Sequence, residues 1–166
     1  MSVLGTGFRY DCEIIKPSGE IEQFTDFNLL PQVSVDHIVG LLRGDGTSPI
    51  SSWFVGVFSG NYVPTSGVTS ADLPVVVGES TAYSQATRPV WTHAYDAVSV
   101  VDNIASKAVF TFTAATTLYG AFIVSSSVKA GNTGVLLSIA RFNTPKTMDI
   151  GTQFSVAAGI TLVPTT

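Results

Sequence analysis

The side chains that could carry out chemistry are few: two histidines, one cysteine and a group of carboxylates near the N-terminus. His37 and His93 are far apart in the chain, and a metal site needs three or four ligands within reach of one ion. Cys12 alternates with polar residues in step with the apolar Tyr10 and Ile14, which predicts a buried, unreactive thiol. We therefore expect no catalytic residue, no metal ligand and no cofactor, and we predict that the protein is not an enzyme.

The carboxylates form the densest group of ionisable residues. They lie in a segment that reads as an N-terminal hairpin: Asp11, Glu13, Glu20, Glu22 and Asp26. On one exposed face they would form an acidic stripe, from which two carboxylates could serve a glycosidase or a calcium site. No EF-hand spacing accompanies them. We predict the solvated outer face of a strand pair, with contact to a basic patch on a partner as the alternative.

One aromatic residue falls outside the predicted strands, in residues 59–74, a segment rich in Gly, Pro, Ser and Asn. This residue is Tyr62, and we expect it to be exposed. An exposed loop aromatic can anchor a protein interface or stack on a sugar, and we favour the interface. The candidate interface residues are Tyr62, Val63 and Pro64. A loop of this length commonly binds a ligand or wraps a neighbour.

Most of the chain shows the period of two that β-strands require. Residues 8–14 and 21–27 flank a Pro-Ser-Gly turn, which predicts a hairpin. Residues 50–58 are apolar at most positions, so we expect a central strand covered on both faces. In the C-terminal half, strands recur at a spacing of about ten residues, which is typical of an antiparallel sandwich or barrel.

One segment, residues 33–43, changes to the helical period. Its apolar residues recur at positions i, i+3, i+4 and i+7: Val35, Ile38, Val39 and Leu42. We expect a short helix that packs this face on a sheet. The predicted fold is all-β, an antiparallel β-sandwich or jelly-roll-like barrel with one short helix. It forms a single domain over residues 1–166, in which the N-terminal hairpin, residues 1–30, could act as an assembly arm.

The composition excludes several classes of protein. Only 12% of the 166 residues are charged, 45% are hydrophobic and the formal net charge is -4. A disordered chain has the opposite balance, and a nucleic-acid binder needs a basic footprint. One cysteine excludes a disulfide framework. No apolar run approaches the ~18 residues of a membrane helix, and the first residues do not read as a secretory leader.

The low charge also bears on partners. A monomer in solution normally carries more surface charge than this, and Lys and Glu are the residues depleted at protein interfaces. We therefore expect other subunits to cover much of the surface, and we predict a homo-oligomer. No nucleic acid and no membrane is expected among its partners.

Two motifs give the chain a resemblance to a known group. The first is the strand WFVGVF, Trp53–Phe58, after the short helix, and the second is the pair AVFTFTA and YGAFIVSS in the C-terminal half. With these the chain resembles small virion proteins of tailed bacteriophages over nearly its whole length. The resemblance implies a structural role in the virion, foremost as a capsid cement or decoration protein. Such a protein would bind across neighbouring copies of the major capsid protein and stabilise the head.

Two alternatives stay open at this point. The similarity extends loosely to terminal domains of tail-fibre proteins, which implies a tail- or fibre-associated attachment protein instead. A carbohydrate-binding or carbohydrate-active β-sandwich is the remote alternative, and it would need clustered carboxylates beside exposed aromatic side chains. In the cement role, we expect both termini to be tied down against neighbouring subunits.

Overall fold

The structure, a computed structural model, describes residues 7–162. Its regular elements alternate with long irregular segments. The strands and the α-helix, in chain order, are β1 (Phe8–Ile15), β2 (Ile21–Phe27), α1 (Gln32–Arg43), β3 (Phe54–Phe58), β4 (Ala94–Tyr95), β5 (Val100–Asp102), β6 (Ala108–Thr111), β7 (Thr116–Val124), β8 (Leu136–Met148) and β9 (Gln153–Thr161). Three single helical turns lie at Ser70–Asp72, Leu73–Val77 and Ile104–Ser106.

The strands form two antiparallel sheets. The large sheet has the order β2-β1-β9-β5-β4, and β6 also pairs with β9, on the same side as β5. The small sheet has the order β3-β7-β8. The prediction of an all-β antiparallel sandwich with one short helix is therefore confirmed.

Alternation of apolar and polar residues decides which side of each strand faces inward. Along β1, Phe8, Tyr10, Cys12 and Ile14 are buried, while the residues between them are not. The inward residues of β9 meet those of the small sheet in one apolar core. Successive strand side chains point to opposite faces, so a period of two in the sequence places one whole set in this core.

The two strands that carry the resemblance motifs lock together through glycine and phenylalanine. In the β3–β7 register, Gly56 lies opposite Phe122 and Phe58 lies opposite Gly120. A methyl group added to either glycine would collide with the ring across from it. Each ring therefore lies over the glycine of the other strand. This cross-strand packing explains Gly56 and Phe58 of WFVGVF and Gly120 and Phe122 of YGAFIVSS, whereas AVFTFTA contributes β6 to the large sheet.

A second apolar cluster lies on the other side of the small sheet. Phe58 and Phe122 face it, and residues 59–78 fold back over the sheet with Val68, Leu73 and Val77 buried. The long loop thus covers its own sheet. The prediction for residues 50–58 needs correction: β3 begins at Phe54 and lies at the edge of the small sheet, although it is buried on both faces as expected.

The helix has the predicted bounds to within one residue, but the prediction of its buried face is wrong. The residues that α1 buries completely are Ser34 and Gly40, and His37 packs edge-on against Trp53 with ring centroids 6.1 Å apart. Gly44 ends the helix in the left-handed conformation, at φ 63°. The face that was expected to pack on a sheet is exposed: Val35, Ile38, Val39 and Leu42.

The first and last described strands are neighbours. β1 pairs with β9 over its whole length, with Phe8 opposite Ile160 and Ile15 opposite Gln153. In the described part of the predicted assembly arm, β1 is therefore a core strand, while β2 lies at the edge of the large sheet. The prediction that the termini clamp neighbours concerns residues 1–6 and 163–166, which lie outside the described residues. Within residues 7–162, none of the helices has the length and apolar character that a membrane crossing requires.

Candidate interaction surface

The two histidines lie in separate aromatic surroundings. His37 contacts Trp53, and His93 stacks on Trp91 with ring centroids 4.5 Å apart. Nδ1 of His93 lies 3.1 Å from the Trp91 carbonyl oxygen. Between residues 7 and 162, no three His, Cys, Asp or Glu side chains come together as metal ligands would.

Cys12 lies inside the sandwich, as its position in β1 predicts. It is 3% exposed, and burial raises the pKa of its thiol, with Asp26 and Asp11 adding to the effect. Burial likewise raises the pKa of Tyr10, whose hydroxyl shares a 2.7 Å hydrogen bond with Ser138 Oγ. A thiol that stays protonated and has no access to solvent is a poor nucleophile, so Cys12 acts as a small core residue.

The carboxylates of the hairpin form no single acidic stripe, and the prediction that they lie on the outer face of the strand pair holds for only two of them. Asp11 and Glu13 lie on the outer face of the large sheet. Asp11 accepts hydrogen bonds from the Arg9 guanidinium at 2.9 and 3.0 Å and from Thr25 at 2.6 Å. Glu13 accepts one from Gln23 at 2.6 Å.

The remaining carboxylates lie elsewhere because β2 alternates between two faces. Glu22 forms an ion pair with Lys146 of β8. Asp26 is buried and accepts a hydrogen bond from the Asn143 N–H at 3.2 Å. Glu20 lies in the turn and pairs with Lys16 at 3.0 Å.

Two shallow depressions mark the outer face of the large sheet, with volumes of about 370 and 340 Å³. Both are lined by Arg9 and Asp11, and one also by Glu13, Gln23 and Lys107. These polar groups already bond to one another. Small-molecule sites normally place a few free polar groups so that they converge on the ligand. The depressions do not offer that arrangement.

A buried ion pair that the sequence reasoning did not single out fixes the loops beside the small sheet. Arg88 and Glu79 have fully buried side chains. Arg88 donates to both carboxylate oxygens, Nε to Oε1 at 2.8 Å and Nη2 to Oε2 at 2.6 Å. It also donates to the carbonyls of Ser126 and Gly131, while Glu79 accepts from the Ala130 N–H at 3.1 Å. The pair therefore ties two irregular segments together.

The candidate interface residues lie in a segment anchored from β8. The Arg141 guanidinium donates to the Tyr62 carbonyl and to Asn61 Oδ1, both at 2.6 Å. The Tyr62 side chain packs against the second apolar cluster and is half-buried, so the expectation that it is exposed is wrong. Pro64 is half-buried too, whereas Val63 is 65% exposed. Of the three, Val63 offers the most apolar surface to a partner.

Among the described helices and strands, α1 carries the most exposed apolar side chains, and we call this surface the α1 face. It consists of the five exposed apolar side chains of the helix: Val35, Ile38, Val39, Leu41 and Leu42. Leu42 is 83% exposed. The loop containing Val63 adjoins the beginning of the helix, because the Gln32 N–H donates to the Ser66 carbonyl at 2.8 Å. The periodicity of the sequence did reveal these side chains, but it assigned them to the core.

Comparison with models of known protein families finds no match for the chain, and comparison with curated proteins finds none either.

Proposed function

We propose that the protein is a structural subunit of a tailed-bacteriophage virion, a cement protein that binds across neighbouring capsid subunits and stabilises the head. The resemblance of the WFVGVF and YGAFIVSS strands supplies the class of particle. What the chain does within the particle is argued from its surface. In this role it works by adhesion, adding contact energy at many equivalent positions of the shell.

The observation that carries the proposal is exposed apolar surface on many separate elements. Isolated apolar side chains on a protein surface are ordinary, but a chain with few charges that exposes them on several sides suits contact with several neighbours. These side chains come from β2, α1, the long loop, the β4–β5 region and the turns near the C-terminal strands: Ile21, Phe27, Leu42, Val63, Val75, Val76, Val90, Tyr95, Val98, Ile104, Val128, Ile150 and Leu162.

The polar groups support the same role. Within the described chain, the carboxylates of the hairpin bond to neighbouring side chains or backbone groups, and the loops are fixed by Arg88 and Arg141. Loops that are held rigid before binding lose less conformational entropy at an interface. A preformed surface of this kind suits a subunit that must fit a regular lattice.

Quantitative mass spectrometry of purified particles tests the placement. The ratio of this protein to the major capsid subunit should correspond to hundreds of copies per particle. About a dozen copies would contradict the cement role and place the protein in the tail. Particles without the protein would contradict the virion role altogether.

A binding experiment tests the candidate interface. Particles stripped of the protein are titrated with purified chain, and Val63→Asp should weaken binding at least ~10-fold because a charge replaces an apolar contact. The control is Ser48→Asp, which adds the same charge at an exposed polar position. Equal binding by the wild type and Val63→Asp, with both variants folded, would remove these residues from the interface.

A further inference from the structure

The α1 face lies along the helix as a single stripe. Val35, Ile38, Val39 and Leu42 follow the spacing that lines up side chains on one side of an α-helix. Twelve helical residues extend about 18 Å, and the stripe from Val35 to Leu42 covers about 11 Å of that length. An apolar stripe of this kind is the usual contact surface of a helix with another helix.

The fold covers this stripe only in part: Val35, Ile38 and Val39 are 36%, 38% and 41% exposed, and Leu42 is 83% exposed. α1 packs on the rest of the chain through its other side, where Ser34 and Gly40 are buried and His37 contacts Trp53. Val33 packs against the second apolar cluster. Within residues 7–162, the stripe therefore remains open to a partner.

The charges beside the stripe indicate what that partner is. Asp36 and Arg43 are two helical turns apart, so they flank the stripe on the same side, one near each end. When two such helices pair antiparallel, the same flank of each helix faces the other helix. The N-terminal end of one flank then lies beside the C-terminal end of the other. Asp36 of one copy then lies beside Arg43 of the other, and the contact occurs twice. The helix is complementary to itself.

Both charges are free to take part. The Arg43 side chain is 71% exposed and lies 4.0 Å from Asp45, a distance at which the ion pair is weak. Asp36 is exposed and accepts one hydrogen bond, from Gln32 on its own helix. A carboxylate has room for further donors.

We infer that α1 binds α1 of a second copy of this chain, antiparallel, about a two-fold axis that passes near Ile38 and Val39. In this register Val35 of one copy packs near Leu42 of the other. Such an interface is isologous, which is the commonest arrangement in homodimers. The inference does not rest on the proposed function, since it holds for the isolated protein in any part of a particle.

The size of the contact sets its strength. One stripe of this length buries less than the ~800 Å² per partner of a standard interface. The dimer is therefore weak, with a dissociation constant in the micromolar range or higher. It would add to the binding energy when copies are held close together on a larger structure.

Sedimentation equilibrium on the full chain tests the pairing, over concentrations from low micromolar to near millimolar. The wild type should change from monomer to dimer. Leu42→Gln should raise the dissociation constant at least ~10-fold through loss of apolar burial. The matched control is Val75→Gln, because Val75 is 85% exposed but lies outside the helix, and it should leave the dimer unchanged. Thermal unfolding should be alike in all three proteins.

A charge exchange tests the antiparallel register. Asp36→Arg and Arg43→Asp each place like charges beside one another at both symmetric contacts, so each alone should weaken the dimer. The double variant, Asp36→Arg with Arg43→Asp, restores opposite charges and should regain wild-type affinity. A chain that stays monomeric at all concentrations overturns the inference, and so does a double variant no stronger than the single ones. If the chain stays monomeric and Leu42→Gln abolishes its binding to particles, the partner of the α1 face is another protein of the particle.

Discussion

At the scale of single residues, the Arg88–Glu79 pair stands out because both of its charged side chains are fully buried. Two charges in a buried site are costly, and only close geometry with further hydrogen bonds offsets that cost. Here the two-pronged contact is joined by two carbonyl acceptors and one N–H donor from the backbone. The guanidinium also lies 5.4 Å from the centre of the Phe122 ring. The pair holds the loops in one arrangement.

Removing one partner of this pair should be strongly destabilising. Arg88→Met leaves the Glu79 carboxylate buried without a counter-charge, and we expect a loss of about 3–5 kcal/mol in the free energy of unfolding, measured with urea. Replacing both residues by Met should recover part of that loss. Arg43→Met, at an exposed position, is the control and should change stability by less than ~0.5 kcal/mol. If the double variant lost as much stability as Arg88→Met and Glu79→Met lose together, this account would be contradicted.

Asp26 should make the stability of the protein depend on pH. Burial raises its pKa above the ordinary value of 3.8, although the Asn143 N–H and Lys146 oppose the shift. The folded state therefore holds this proton more tightly than the unfolded state, so stability is lost as the pH rises through the folded pKa. Asp26→Asn should be more stable than the wild type at pH 7 and equal to it at pH 3, measured by urea unfolding.

Asp96 provides the control of opposite sign. It accepts hydrogen bonds from the N–H groups of Val100, Val98 and Ser99, which lower its pKa. The contribution of Asp96 to the free energy of unfolding is present above pH 3.8 and is lost as the pH falls through the lower folded pKa. Asp96→Asn should therefore be less stable than the wild type at pH 7, with the difference vanishing in strong acid. If both variants shifted stability in the same direction at pH 7, the assignment for Asp26 would be wrong.

The sequence was informative about residues whose surroundings are set by a regular period. The alternation of β1 predicts that Cys12 is buried, and the structure agrees. The same alternation in β2 separates Asp26 from the outer carboxylates, although all five were expected on the solvated outer face of the strand pair. Arg88 and Glu79 lie in segments without periodicity. Their pairing depends on loop paths that local patterns do not encode.

At the scale of elements, β3 and β7 show how two glycines determine a strand pairing. Phe58 covers Gly120, and Phe122 covers Gly56, so each ring fills the space that a side chain on the facing strand would occupy. A shift in register by one residue would pair Phe122 with Val55 or Val57. In the native register these valines point into the core between the two sheets, on the face opposite to Phe122. The arrangement therefore fixes the register as well as the packing.

Gly120→Ala should test this packing. The added methyl group would collide with the Phe58 ring and with the Ala140 carbonyl, so we expect a loss of about 1–3 kcal/mol, measured by urea or thermal unfolding. Gly67→Ala is the control, because a methyl group there meets no atom within 4 Å. Equal stability of the two variants would show that the space over Gly120 adapts without cost.

The helix shows what periodicity can and cannot predict about an element. The spacing of its apolar residues predicts its existence and its bounds, because the helical repeat is a local property. It says nothing about which surface covers the apolar side. The structure buries the small residues Ser34 and Gly40 instead, which lets the helix approach its own fold closely, and it leaves Leu42 to a partner.

At the scale of the whole molecule, two apolar clusters make three layers: the large sheet, the small sheet and the cover formed by residues 59–78 with α1. The sandwich could be predicted because alternating strands with one apolar face must pair face to face. The order of the strands in each sheet could not be predicted from the sequence. β9 contacts β1, β5 and β6, which lie at very different distances along the chain. The covering role of the loop depends equally on long-range packing.

The pairing of β1 with β9 also determines when the protein can fold. Closing a contact between segments nearly a full chain apart is entropically costly, and folds rich in such contacts form slowly. β9 is the strand on which β1, β5 and β6 all depend, so the large sheet cannot assemble until the ribosome has made Gln153–Thr161. Until then the side chains that β1 turns inward, among them Phe8 and Tyr10, lack the core partners that β9 provides.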